Sequence, residues 1–248
     1  MHIFHKNTKV CFSDIGKGSA VVLLHGFLEN SAMWDAIASK LSKKYRVVCI
    51  DLLGHGQTEN HGYIHAMEDQ ATMVKAVLNS LKLRKYILVG HSMGGYVGLS
   101  FAKLFPNNMK GICLMNSTAL PDSDEKKINR DRAIVAVKQN HKTFVRIAIP
   151  MLFSEKNRAI FTSEIKEITN EALKITPQGI IAALEGMKIR EDNTSIYKSA
   201  NFPIQLIIGK QDPALDYNSL IQQTKNTNVQ VVEFPDGHMS HIENKDEL

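Results

Sequence analysis

The run Tyr86-Ile87-Leu88-Val89-Gly90-His91-Ser92-Met93-Gly94-Gly95 constrains this chain more than any other. A short apolar stretch enters Gly-x-Ser-x-Gly, and helical patterning follows from Tyr96 to Phe105. That succession reads as strand, sharp turn and helix, with a serine at the apex. So tight a turn strains the serine's backbone, and side chains at Gly90 and Gly94 would strike the neighbouring strand and helix. The expected outcome is a hydroxyl held above a sheet at the positive end of a helix. The five-residue pattern alone is common by chance. The flanking strand and helix set this instance apart from a glycine-rich turn that happens to hold a serine.

Serine is a poor nucleophile at neutral pH, so it needs a base, and the base needs an orienting group. Gln205-Leu206-Ile207-Ile208-Gly209 reads as a buried strand with Lys210-Gln211-Asp212-Pro213 as its exit turn. Val229–Phe234 reads as a last strand and leads into Pro235-Asp236-Gly237-His238-Met239. The chain order is therefore serine, acid, histidine. Upstream, Val21-Val22-Leu23-Leu24 is a strand that ends in His25-Gly26-Phe27.

With Asp51-Leu52-Leu53-Gly54-His55-Gly56 added, these motifs span almost the whole chain, and the sequence resembles the α/β-hydrolase fold superfamily. The similarity is to its compact bacterial-type esterases, lactonases and carbon–carbon bond hydrolases. It implies an α/β fold: a mostly parallel twisted sheet flanked by helices, with a helical lid inserted between two core strands. On that pattern Ser92 is the expected nucleophile, His238 the general base and Asp212 its orienting acid. The backbone amides of Phe27 and Met93 are the expected oxyanion donors. The implied reaction is acyl transfer to water from a small carboxylic ester or lactone. A carbon–carbon hydrolase would use the same residues, and a non-catalytic small-molecule receptor of this fold is a rival from another class. A serine at the elbow disfavours the dehalogenases and epoxide hydrolases, which use aspartate.

Each role has a competitor in the sequence. His91 adjoins Ser92, but neighbours at a sharp turn point apart, so it is expected to pack or hydrogen-bond behind the turn. His241 competes with His238, and His25 and His55 read as structural members of glycine loops. Asp216 is the alternative acid, and Asp236 is expected to make a turn hydrogen bond. Some relatives carry the acid after the strand Gly111–Met115, where this chain has Asn116, which bears no charge. Trp34, Met151, Phe153 and Met187 are candidates for the substrate pocket, with plain packing as the competing role. Arg130, Arg132 and Arg146 could pair with a substrate carboxylate, though surface solvation competes for each.

Along the chain, a hairpin of Ile3–His5 and Val10–Asp14 is expected, turning at Asn7-Thr8-Lys9. Strands are expected at Ala20–Leu24 and Arg46–Asp51, and helices at 30–41 and Met67–Leu81. From 121 to 200 the pattern is helical, broken by Pro150 and Pro177. The expected division is therefore a core of residues 1–120 and 201–248, with 121–200 as the lid. At 248 residues, 44% of them hydrophobic and 22% charged, the chain is ordinary for one globular domain.

The net charge of +5 does not read as nucleic-acid binding, because the lysines are scattered among acids without interleaved aromatics. Apolar runs are strand-length, short of a membrane span. Neither metal-ligand spacing nor a dinucleotide loop is evident, so no metal or cofactor is expected. The three cysteines, Cys11, Cys49 and Cys113, are expected as free thiols, and Met1–Lys6 opens no signal-peptide pattern. The expected location is cytoplasmic. Lys245-Asp246-Glu247-Leu248 spells a retention signal, but the expected reading is structural: Asn244 capping the first turn of a terminal helix.

Overall fold

A computed structural model describes residues 1–248. Eight strands form one sheet: β1 His2–His5, β2 Thr8–Gly16, β3 Ala20–Leu24, β4 Arg46–Ile50, β5 Tyr86–His91, β6 Met109–Met115, β7 Ile204–Gly209 and β8 Gln230–Phe234. Their spatial order is β1-β2-β4-β3-β5-β6-β7-β8. The first two pairings are antiparallel and the rest parallel. Because the parallel strands are covered on both faces, β3 is buried at all five positions. Alternate residues point to opposite faces. Val22 and Leu24 join the larger core with Leu88, Leu114 and Leu206, while Val21 and Leu23 join a smaller one with Trp34, Ala38 and Val47.

Helices α1 Asp35–Leu41, α2 Met67–Ser80 and α3 Met93–Leu104 follow β3, β4 and β5. Between β6 and β7 the chain is entirely helical where it is regular: α4 Asp124–Ala148, α5 Thr162–Ala172, α6 Pro177–Lys188 and α7 Ser195–Ser199. Asn140 breaks α4, leaving helical dihedrals and restarting the helix by accepting from the Thr143 N–H at 3.0 Å. Helix α8 Tyr217–Thr224 joins β7 to β8, and α9 Ser240–Glu243 comes last.

Three local expectations are corrected. The hairpin turns at Lys6 and Asn7, both with positive φ (48° and 62°), so Thr8 already belongs to β2. The segment 30–41 splits into a 3₁₀ turn, Ser31–Trp34, capped by the Asn30 side chain, and then α1. Asn244 does not open a terminal helix: it closes α9, and its side-chain amide donates to Asp236 at 2.9 Å.

Candidate active site

Ser92 sits at φ 49°, ψ −114°, between the end of β5 and the start of α3. A side chain at Gly90 would meet the backbone of Gly94 and Gly95, and one at Gly94 would meet the backbone of Leu24 and His25. The two glycines thus let the turn close against α3 and β3. Met93 opens α3, where helix geometry leaves its N–H without an intrahelical acceptor. The Phe27 amide likewise makes no hydrogen bond within the chain. Both residues flank Ser92, Phe27 on the loop after β3 and Met93 on the elbow itself.

Asp212 follows β7 and His238 follows β8, two neighbouring parallel strands. Asp212 Oδ2 accepts from His238 Nδ1 at 2.7 Å. Its other oxygen takes the Ala214 and Leu215 amides, and Asn116 Nδ2 donates to Oδ2 at 3.2 Å. Burial works against ionisation of Asp212, but His238 outweighs it, with help from the Ala214 N–H and Asn116, and holds the carboxyl below its ordinary value. The competing acids are occupied elsewhere. Asp216 caps α8 through the Ser219 N–H, and Asp236 faces Asn244 and Lys156.

Behind the turn lies a buried ion pair that the motifs did not signal. Glu29, with a 3% exposed side chain, accepts from the Gly26 N–H at 2.9 Å and from His91 Nδ1 at 2.7 Å. The other nitrogen of His91 faces the His238 carbonyl at 2.9 Å. A carbonyl only accepts, so the nitrogen facing it donates, and beside an ionised Glu29 the other donates too, an arrangement that favours the protonated ring. Burial opposes that charge, yet Glu29 outweighs it and raises the His91 pKa. Burial likewise opposes ionisation of Glu29, whose pKa His91 nevertheless pulls down to about 2. One pair therefore ties together the loops carrying Phe27, Ser92 and His238. His241 packs beside it at 3.5 Å from Glu29 and stays neutral, its pKa pushed by burial to about 4. His25 and His55 are loop staples: His25 accepts from the Leu52 N–H, and His55 Nδ1 donates to the Leu53 carbonyl.

A cavity of about 270 Å³ opens over Ser92 and His238, with Phe27 also on its wall. Of the four pocket candidates only Met187 lines it, with Leu184 one turn earlier on α6. The others are corrected. Trp34 is buried against Val21, Leu23 and Val47 in the smaller core, away from the cavity. Phe153 is fully buried beside Phe161, and Met151 is 52% exposed to solvent. Periodicity marks such residues as apolar without saying which side of a helix or sheet faces a cavity. Surface solvation is corrected for Arg130: its side chain is only 19% exposed, lines the cavity and pairs with Asp122. Tyr96, Leu152, Ala214 and Leu215 complete much of the wall and carried no sequence signal.

A family model described as the alpha/beta hydrolase fold matches residues 19–245. The chain belongs to this family. A pimeloyl-[acyl-carrier protein] methyl ester esterase of Pseudoalteromonas atlantica is 30% identical to it, over 92% of this chain and 89% of that protein. The structure of a thermophilic esterase from Thermogutta terrifontis superposes with TM-score 0.88 at 29% identity, covering 97% of this chain and 90% of the other. An enol-lactonase from Burkholderia xenovorans LB400 shares the fold, with TM-score 0.90, 22% identity and coverage of 100% and 96%. The chain spans about a third of the length of the uncharacterised mycobacterial proteins it matches, the alignment covering 31% of one from Mycobacterium bovis. No helix of this α/β-hydrolase chain is long and apolar enough to cross a membrane.

Proposed function

We propose that this α/β hydrolase cleaves a small carboxylic ester or lactone through an acyl-enzyme on Ser92. The observation that carries the reading is the Asp212–His238 hydrogen bond meeting the strained Ser92 elbow at one cavity. Asp212 keeps the His238 ring in the tautomer whose Nε2 is free to accept a proton. His238 takes the Ser92 proton as the hydroxyl attacks the carbonyl. The unpaired amides of Phe27 and Met93 meet the resulting oxyanion, each worth on the order of 3 kcal/mol. His238 then protonates the leaving alcohol, and water repeats the sequence on the acyl-enzyme. The helical insertion serves as the lid, its α4 and α6 residues bordering the cavity. The named activities of the Pseudoalteromonas and Thermogutta relatives support an ester as the substrate class.

A fluorophosphonate probe together with a series of p-nitrophenyl esters tests the reading. Labelling at Ser92 and turnover that vanishes in Ser92→Ala are expected. A folded protein that neither labels nor hydrolyses any ester would instead point to a binding protein built on this fold.

A further inference from the structure

The cavity over Ser92 carries a charge imbalance that ester hydrolysis does not by itself require. Its wall holds Lys126 and Arg130 beside the Glu29-paired His91, and no aspartate or glutamate. The two lie at i and i+4 on α4 and so share one face, a spacing at which like charges cost helix stability. Two other charges of α4 are paired, Lys127 with Asp124 and Asp131 with Lys188, while exposed cations such as Lys138 face solvent rather than the cavity. Lys126 has no carboxylate partner. Its ammonium donates to the Ala214 carbonyl at 3.2 Å and keeps two further hydrogens.

Arg130 does have a partner, but a shared one. Its Nε and Nη2 reach Asp122, whose buried carboxylate also receives Arg190 Nη1 at 2.5 Å. Arg190 is committed to the fold. It donates to the Leu120 and Met187 carbonyls and stacks 4.1 Å over the Tyr96 ring. Burial works against the Asp122 charge, but Arg130 and Arg190 outweigh it and hold the carboxyl below its ordinary value. One carboxylate thus serves two guanidiniums, leaving one positive charge uncompensated. Arg130 Nη1 remains free to donate. Lys126 adds a second positive charge on the same wall.

We infer that the substrate is an ester or lactone bearing a carboxylate, which Lys126 and Arg130 receive while the reacting carbonyl lies at Ser92. The inference rests on the hydrolase reading above and narrows its substrate class. A neutral apolar ester would gain nothing from two cations on the wall. A carboxylate at the far end turns them into remote binding energy that orients the carbonyl. The apolar part of the wall, Leu184, Met187 and Ala133, suits a short carbon chain joining the two ends. At about 270 Å³ the cavity is at the small end for ligand sites, which favours a compact acid over a long acyl chain.

The test is a matched series: 4-nitrophenyl monoesters of succinate, glutarate and adipate, each against its methyl-capped counterpart. A second series places the acid on the alcohol side. In at least one series the free acid should be preferred by about tenfold or more in kcat/KM, mostly through KM, and the preference should shrink as salt rises. Lys126→Glu should abolish or invert it, whereas Lys138→Glu, an exposed change on the same helix, should keep it. Equal use of acid and capped esters in both series, or a penalty for the acid, would overturn the inference while leaving the hydrolase reading intact. Absence of turnover and of Ser92 labelling would instead remove the hydrolase reading. Calorimetric titration with 5-oxohexanoate and 2-hexanone would then decide the anion site alone. Tighter binding of the acid, lost in Lys126→Glu, supports the site; equal or absent binding of both overturns it.

Discussion

The loops at the strand ends and the helices between β6 and β7 handle charge in different ways. At the strand ends, Glu29 meets His91 and Asp212 meets His238, with every one of these side chains at least 95% buried. Removing one partner of such a pair strands the other charge in a dry interior, so the geometry is held stiffly. In the helical insertion, Lys126 has only a backbone carbonyl, and Arg130 shares its carboxylate with Arg190. Those cations keep donors to spare. Glu243 joins the two regions, taking the Ser154 and Asn157 donors of the insertion on one oxygen and the Met239 N–H on the other. The contrast suggests that chemistry belongs to the closed set and selectivity to the open one.

The largest effects should come from the closed set. Ser92→Ala should lower ester turnover on the order of 10⁶-fold with little change in melting temperature. His238→Ala should be nearly as damaging, because residues acting as a unit are not additive. His241→Ala, which removes a buried neutral ring behind the pair, should retain most turnover. The reverse ranking, measured on one ester, would move the base and break the comparison at its centre.

Side chains that periodicity alone offered for the pocket should separate by location. Trp34→Ala and Phe153→Ala should each cost about 3–5 kcal/mol of stability and leave the acyl-chain preference unchanged. Leu184→Ala and Met187→Ala should instead shift that preference by about 1–3 kcal/mol. Melting curves and a chain-length profile on each variant distinguish the two behaviours. A shifted profile in Trp34→Ala would mean that selectivity is not confined to the insertion.

The smallest effect concerns pH. Burial lowers the pKa of His55 to about 3 and those of His65 and His241 to about 4, from ordinary values near 6.5. Between these values the unfolded chain binds protons that the fold refuses, so this stability is full above about pH 6.5 and is lost as pH falls toward 4. Glu29 extends the loss, from about 4.5 down to about 2. His91 acts oppositely: its stabilising charge is present below 6.5 and is lost as pH rises through its raised value. A melting temperature lower by several degrees at pH 4.5 than at pH 6.5 is expected, and a flat profile across that window would remove the buried neutral histidines from the account.

Much of this was legible in the sequence because it depends on local rules. The elbow needs small residues at 90 and 94, a strand before and a helix after, and all are adjacent in the chain. The order of Ser92, Asp212 and His238 follows from strands that each end at the same edge of a parallel sheet. In the sequence Asn116 signals only a missing acid, whereas in the fold it donates to Asp212 and to the Gly237 carbonyl.

What the sequence by itself determined, then, was the strand–turn–helix units and which side chains emerge from their ends, because strand alternation, helical period and glycine sterics act within a few residues. Only the tertiary structure decided that Glu29 pairs with His91, that Trp34 lies in the core, and that Lys126 and Arg130 share a cavity with Ser92. Those outcomes join residues 62 positions apart in the Glu29–His91 pair and 68 in the Asp122–Arg190 pair. Ionisation, burial and the facing of a helix are set by what packs against them, and no short window of sequence contains both halves of such a contact.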